Sequence, residues 1–258
     1  MIRSPIKYFG GKSHMVDCII NQFPKEFNVY AEPFVGGGSV LFNKAQSGVE
    51  IINDISNNVY SVFKCLSDHE LFLKVKEKLD VTYYSRLLRE NFKDDLLMDL
   101  DIVERAYKFI YVTRTSFNGV GGFSVNKLVR RNMCKSVSDY LSMVDGLFDI
   151  HNRLSSVVVE NLDIFDFIDK YDSEDVFMYL DPPYVIGTRK SNQKYQHEFT
   201  DKQHEMLCDR ILNCKSKILL SGYDNEIYDM LDVKYKKVYF NPKNSNSKAV
   251  EVLWKNYD

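Results

Sequence analysis

Hydrophobic and polar positions fall into two different periods along the chain. Asn28 to Phe34 and Val49 to Ile52 carry the β-branched and aromatic pattern of strands, and Ser39 to Ala45 between them has the spacing of a helix, so the chain opens as a βαβ unit. From Asn57 to about Leu154 the spacing turns helical, in Val59 to Leu66, His69 to Leu79, Ile102 to Val112 and Val137 to Leu154, with a glycine-rich interruption at Phe117 to Val125. Strand patterns return at Val157 to Glu160, Val176 to Leu180, Lys217 to Ser221, Val233 to Phe240 and Ala249 to Trp254. Thr200-Asp-Lys-Gln203 has the form of a capping box and marks a helix start between the second and third of these. Asn241 to Lys248, rich in Asn and Ser, reads as a turn before the last strand. The pattern predicts a discontinuous α/β domain, residues 1–56 and 155–258, holding a helical insertion at 57–154.

Composition narrows the picture. A chain of 258 residues with 45% hydrophobic content can bury a full core. Its apolar runs, such as Ile218 to Leu220, are far shorter than the roughly 20 residues that cross a bilayer. No membrane span is expected, and the first residues lack an apolar signal region, so a cytoplasmic protein is expected. The five cysteines form no Cys-x-x-Cys pair and the five histidines no His-Glu-x-x-His, so neither a disulfide framework nor a metal site is expected. The net charge of -2 is unevenly spread. Arg114, Lys127, Arg130, Arg131 and Lys135 lie in a stretch, Val112 to Ser136, with no acidic residue. Such an island suits phosphate contact, although a solvated basic loop would look the same.

Glu32-Pro33-Phe34-Val35-Gly36-Gly37-Gly38-Ser39 follows the first strand, where a doubly wound sheet binds its ligand. Three glycines let the backbone turn sharply and approach a ligand closely; a tight turn without a ligand is the alternative. A nicotinamide fingerprint would need glycine where Leu41 stands, and a P-loop ending at Gly11-Lys12-Ser13 would need its first glycine at Ile6. Asp54 closes the second strand, where an acid grips ribose hydroxyls, although it could instead cap the following helix. A ligand with a free ribose and no required phosphate fits, and S-adenosylmethionine is such a ligand.

Asp181-Pro182-Pro183-Tyr184 directly follows the apolar run Val176 to Leu180. Two prolines fix the backbone and remove two amide donors, so a carboxylate and carbonyl oxygens gather at a rigid strand end. Such acceptors suit an amino group conjugated to an aromatic ring, since accepting its two N–H bonds localises the nitrogen lone pair for attack. Tyr184 offers a face on which a base can stack. A proline-stiffened strand exit is the plain alternative.

These residues resemble the Dam-type, α-class DNA adenine methyltransferases. The likeness runs through Lys7 to Lys12, Glu32 to Val40, Asn53-Asp54, Arg114 to Gly119, Asn161-Leu162-Asp163, Asp181 to Tyr184, Tyr195 with His197-Glu198-Phe199, and Glu251 to Trp254. It implies a Rossmann-like S-adenosylmethionine-dependent methyltransferase fold, with a mostly parallel seven-stranded sheet and an inserted helical target-recognition domain. It further implies methyl transfer to the N6 amino group of an adenine flipped out of duplex DNA, in a bacterial or phage-encoded protein.

In the resemblance Tyr8, Lys12, Glu32, Gly36, Gly37 and Gly38 surround the methionyl part of the cofactor, Asp54 holds its ribose and Asp163 with Ile164 its adenine, while Phe34, Ser39 and Asp181 also belong to the cofactor site. Asp181, Pro182, Pro183 and Tyr184 receive the target base, walled by Tyr195 and Phe199. Phe117 and Asn118 push into the duplex, while Arg114, Ser116, Lys127, Arg130 and Arg131 contact DNA; Phe117 could also be a core aromatic. Double-stranded DNA is thus the expected partner, with a companion restriction endonuclease possible and a monomer or weak dimer expected. Members that read GATC often carry Cys-Arg-Tyr-Asn after the Asn-Gly, where this chain has Val120-Gly121-Gly122-Phe123. Other substrates compatible with the tetrapeptide are a cytosine amino group, an RNA adenine or a protein glutamine, and an inactive DNA-binding relative is the non-enzymatic alternative.

Overall fold

The computed structural model describes residues 2–188, 198–240 and 251–258. The expected pocket residue Tyr195 and the expected turn at 241–248 lie outside the described residues. In chain order the elements are α1 (Val16–Ile20), β1 (Val29–Glu32), β2 (Val49–Asn53), α2 (Asn57–Ser67), α3 (His69–Asp80), α4 (Arg86–Asp95) and α5 (Ile102–Thr115). There follow β3 (Val129–Arg130), β4 (Met133–Cys134), α6 (Lys135–Asp145), α7 (Leu147–Leu154), β5 (Val157–Glu160) and α8 (Ile164–Tyr171). The remainder are β6 (Val176–Leu180), α9 (Asp201–Leu212), β7 (Lys217–Tyr223), β8 (Lys236–Phe240) and β9 (Glu251–Lys255).

The chain forms two compact units, one of residues 1–11, 36–43 and 57–159, the other of 12–35, 44–56 and 160–258. The sheet has seven strands in the order β5-β2-β1-β6-β7-β9-β8. Pairings of β1 with β2 and β6, and of β6 with β7, are parallel, whereas β9 runs antiparallel to β7 and β8. All five side chains of β6, Val-Phe-Met-Tyr-Leu, are buried, because in the centre of a parallel sheet both faces are covered. Val176, Met178 and Leu180 enter a core with Ala31, Ile218, Leu220 and Trp254. Phe177, on the other face, meets the rings of Phe23 at 4.6 Å and Phe27 at 5.1 Å.

The first unit is mainly helical. Asp68, Ser85 and Asp101 cap α3, α4 and α5 by accepting from first-turn amides. Phe72 stacks on His151 at 4.4 Å in its interior. Of the residues of α4 only Arg89 and Phe92 are buried, so the helix carries too few apolar residues to announce itself.

Three expected elements differ. Ser39 to Ala45 is a set of turns rather than a helix, closed by bonds from Phe42 N to Gly38 O and from Asn43 N to Val40 O. A segment this short cannot repay helix nucleation by itself. The expected helix from Val137 to Leu154 is broken at Gly146, whose N–H bonds back to Met143 O and restarts the chain as α7. The expected strand from Val233 begins only at Lys236, because Glu226–Val233 forms a 3₁₀ run whose N-cap Asn225 accepts from Tyr228 N.

The capping box is formed in both directions: Gln203 N donates to Thr200 Oγ1 at 3.3 Å and Thr200 N donates to Gln203 Oε1 at 3.0 Å. Thr200→Ala removes one half and should lower stability by about 1 kcal/mol. Urea unfolding checks this, and an unchanged midpoint would show that the cap contributes nothing.

Candidate active site

The second unit collects its polar side chains at one edge of the sheet. In the parallel register Leu180 stands opposite Leu220, so Asp181 and Ser221 emerge side by side at the carboxyl ends of β6 and β7. Asp181 Oδ1 accepts from Ser221 Oγ at 2.8 Å and from Lys12 Nζ at 2.5 Å. Both contacts fall on one oxygen; Oδ2 makes none among the described residues. Burial of Lys12 works against its charge, but Asp181, with Tyr179 and Glu251, outweighs it and raises the ammonium above the usual lysine range. Lys12 therefore stays protonated at the sheet edge, and its Nζ lies 4.7 Å from the ring centre of Tyr184.

Tyr184 ends the two-proline segment. Its hydroxyl donates to both oxygens of Glu251, at 3.0 and 2.9 Å, and its ring lies 4.4 Å from that of Tyr223. Glu251 reaches this edge because β9 is antiparallel to β7, which sets Glu251 against Tyr223. Burial raises the Glu251 carboxyl, Lys12 and the Tyr184 hydroxyl pull it down, Asp181 pushes it up, and the outcome is upward.

The neighbouring strand ends carry the other expected ligand residues. Glu32 is buried at the end of β1, and Tyr30 Oη donates to its Oε2 at 2.8 Å. Asn53 staples the strand-end loops: its Nδ2 donates to Pro33 O at 3.0 Å and Leu162 O at 3.1 Å, while its Oδ1 accepts from Leu162 N at 2.7 Å. Asp54 is buried and accepts from Ser56 N at 2.9 Å, which leads the chain toward α2. Asp163 is exposed and caps α8 by accepting from Phe165 N, while Ile164 is buried beneath it. Phe34 meets Phe199 edge-on at 6.0 Å, and Phe199 is buried.

The helical unit holds the remaining expected residues. Gly36 has φ +48°, and a Cβ there would lie 2.8 Å from the Tyr8 ring, so the missing side chain makes room for Tyr8. Ser39 follows within the same turns, with its backbone carbonyl accepting from Asn43 Nδ2 at 2.8 Å.

Phe117 is 63% exposed on a tight loop, followed by Asn118 in the left-handed region at φ 49°. Gly119, at φ +82°, passes so close to Lys7 O that a Cβ would stand 2.1 Å from it. Beneath the loop, buried Arg89 donates to Ser116 Oγ at 3.0 Å and Gly121 O at 2.6 Å. Ser116 is itself fully buried, and Arg114 Nε donates to Pro5 O at 2.9 Å.

Lys127, Arg130 and Arg131 lie on or beside the β3–β4 hairpin. Val129 pairs with Cys134 and Arg130 with Met133, which leaves a two-residue turn at Arg131-Asn132 with φ 53° and 58°. Two acids of α6 face these bases: Asp139 pairs with Arg130 at 2.6 Å and with Lys135 at 2.5 Å, and Asp145 lies 3.9 Å from Arg131.

Ser221, Glu251 and Arg89 gained no role from the sequence. A serine within an apolar strand and an arginine in a mostly polar helix carry no motif, and Glu251, although it opens one of the resembling segments, takes no role from it. Only strand register and the closed loop show what they hold.

Comparison with known proteins fits this arrangement. Residues 8–243 match the family described as D12 class N6 adenine-specific DNA methyltransferase. A type II methyltransferase, M.MjaIII, from Methanocaldococcus jannaschii is 30% identical over 89% of this chain and 89% of its own length. Another, M1.LlaDCHI, from Lactococcus lactis subsp. cremoris is 25% identical, covering 99% of this chain and 96% of that protein. The DNA adenine methylase of Haemophilus influenzae is 26% identical over 96% and 90%. Among solved structures an rRNA methylase from Streptococcus thermophilus covers 97% of this chain and 99% of its own at 9% identity, with a TM-score of 0.36 that supports no inference. With the tetrapeptide at the end of the central strand and the family match spanning most of its length, the chain belongs to the D12 class of N6 adenine-specific DNA methyltransferases.

Proposed function

We propose that Asp181 is the group that receives the amino nitrogen of the target adenine when the enzyme methylates DNA. The observation that carries this reading is the asymmetric use of its carboxylate. Oδ1 is fixed by Lys12 and Ser221, and Oδ2 makes no contact among the described residues. An acceptor held at one oxygen can take an N–H at the other without reorganising during the reaction.

The strand ends of the second unit suit the methyl donor. A zwitterionic amino-acid group asks for an anion and a cation, and a ribose diol for an acceptor; buried Glu32, Lys12 and Asp54 are of these kinds. When bound, S-adenosylmethionine supplies a methyl carbon made electrophilic by a sulfonium sulfur. Asp181 and the carbonyl oxygen of Pro182 accept the two amino hydrogens, which draws the nitrogen lone pair out of conjugation and toward that carbon. As the N–C bond forms the C–S bond breaks and its electron pair stays on sulfur; the carboxylate faces the positive charge that develops on the nitrogen, which is lost when the nitrogen releases a proton to water. Tyr184 supplies the stacking face for the base, and Pro183 stiffens the backbone between them.

The amino nitrogen of a paired, stacked adenine cannot reach a methyl donor, so the base must leave the duplex. In the helical unit we assign Phe117 and Asn118 to the gap that it leaves. Phe117 is exposed, and Gly119 and Arg89 hold its loop in one shape. Lys127, Arg130 and Arg131 are assigned to phosphates. Half-buried Arg114 and buried Ser116 are assigned to holding the loop from within. The type II names of two relatives fit a companion restriction endonuclease.

Asp181→Asn keeps an acceptor for Lys12 and Ser221 but loses the charge, and methyl transfer should fall on the order of 10²- to 10³-fold while S-adenosylmethionine still binds. Transfer of tritiated methyl groups to duplex DNA, beside a binding titration, checks this; a fully active variant would remove Asp181 from the reaction. Replacing Arg130 and Arg131 with Glu should weaken DNA binding and flatten the plot of log affinity against log salt by about 0.9 for each phosphate no longer neutralised. An unchanged slope would take both residues off the phosphate path.

A further inference from the structure

Lys12, Tyr223 and Glu251 restrain Tyr184. Lys12 Nζ lies over its ring, the Tyr223 ring leans against it at 49°, and Glu251 accepts its hydroxyl proton with both oxygens. The cation over the ring face and the neighbouring ring bias rotation about the ring's long axis, because both attractions favour certain ring orientations. The hydroxyl lies on that axis, so its hydrogen bond fixes where the tip of the ring sits, and that bond weakens steeply when bent. Pro182 and Pro183 already limit the backbone, so Glu251 acts on the side-chain torsion that swings the whole ring toward or away from its carboxylate.

We propose that Glu251 is a positioning residue, which anchors the Tyr184 hydroxyl and so fixes where the ring stands as a stacking surface for the target base. The inference rests on the proposed role of Tyr184 as the stacking face. A carboxylate suits the task because its two oxygens straddle one donor, and a bond to an ionised acceptor is stronger than one to a neutral oxygen. Burial works against that charge, and Lys12 and the phenol offset part of its cost. The placement follows from strand direction: only an antiparallel β9 brings its first residue, rather than its last, to the edge where Asp181 lies.

If Glu251 acts through Tyr184, the effects of changing the two residues will not multiply. Tritiated methyl transfer to adenine-unmethylated plasmid DNA gives kcat, and a titration gives the Kd for S-adenosylmethionine. Glu251→Ala should lower kcat roughly 10- to 100-fold, the loss of one charge-assisted hydrogen bond, with the Kd within about threefold of the parent value. Glu251→Gln, which retains an acceptor, should recover most of that loss. Adding either substitution to Tyr184→Phe should cost less than about a further twofold, because the bond is already absent.

Losses that multiply in the double variants, or a Glu251→Gln enzyme as slow as Glu251→Ala, would overturn the proposal. If Glu251→Ala does not fold, the pair formed by Tyr184→Phe and Glu251→Gln/Tyr184→Phe decides. A parent enzyme that transfers no methyl group to DNA adenine would bring down the proposed function and this inference together. An active parent with an unaffected Glu251→Ala variant would sink this inference alone.

Discussion

The polar edge of the sheet is organised by one buried ion pair, Lys12 with Asp181. Taking an ammonium and a carboxylate out of water costs several kcal/mol per ion, and mutual attraction offsets this only when the remaining donors and acceptors find partners. Here Ser221 and the Tyr184 ring share that task. The pair is weak evidence for stability, since an apolar replacement of similar volume could pack as well. Its effect is on orientation: a carboxylate clamped through one oxygen has its second oxygen fixed in direction.

Around this pair the fold contributes stiffness. β6 is buried on both faces, and the two prolines that follow remove the backbone freedom that a strand exit normally has. Asn53 joins the loops after β1, β2 and β5 through three hydrogen bonds, so Glu32, Asp54 and Asp163 sit on connected backbone. The helical unit follows a different rule. Its Phe117 loop and Arg131-Asn132 turn hold three non-glycine residues in the left-handed region, a conformation that costs roughly 1–2 kcal/mol each and persists only where the surroundings enforce it.

The sequence was most legible where chemistry is contiguous. Asp181 to Tyr184 could be read directly because a strand, a carboxylate, two prolines and an aromatic ring follow one another. The capping box at Thr200 was equally plain, as its reciprocal bonds join residues three apart. Lys12 and Asp181 are 169 positions apart, and nothing local announces that they meet. The spacing of Gly36 to Gly38 shows that the backbone turns sharply, but not that Tyr8 of the same unit packs against Gly36. The turns at Ser39 to Ala45 carry helical spacing without the length to use it, and α4 has too little apolar character for its period to stand out.

The strand that brings Glu251 into place lies between β7 and β8 in the sheet yet follows both in chain order. During synthesis β7 and β8 therefore emerge before the strand that separates them, and they cannot pair with each other permanently without shutting it out. The hydroxyl of Tyr184 gains its acceptor only after a further 67 positions of chain have been made, so a nascent chain already long enough to hold the tetrapeptide still lacks one of its anchors.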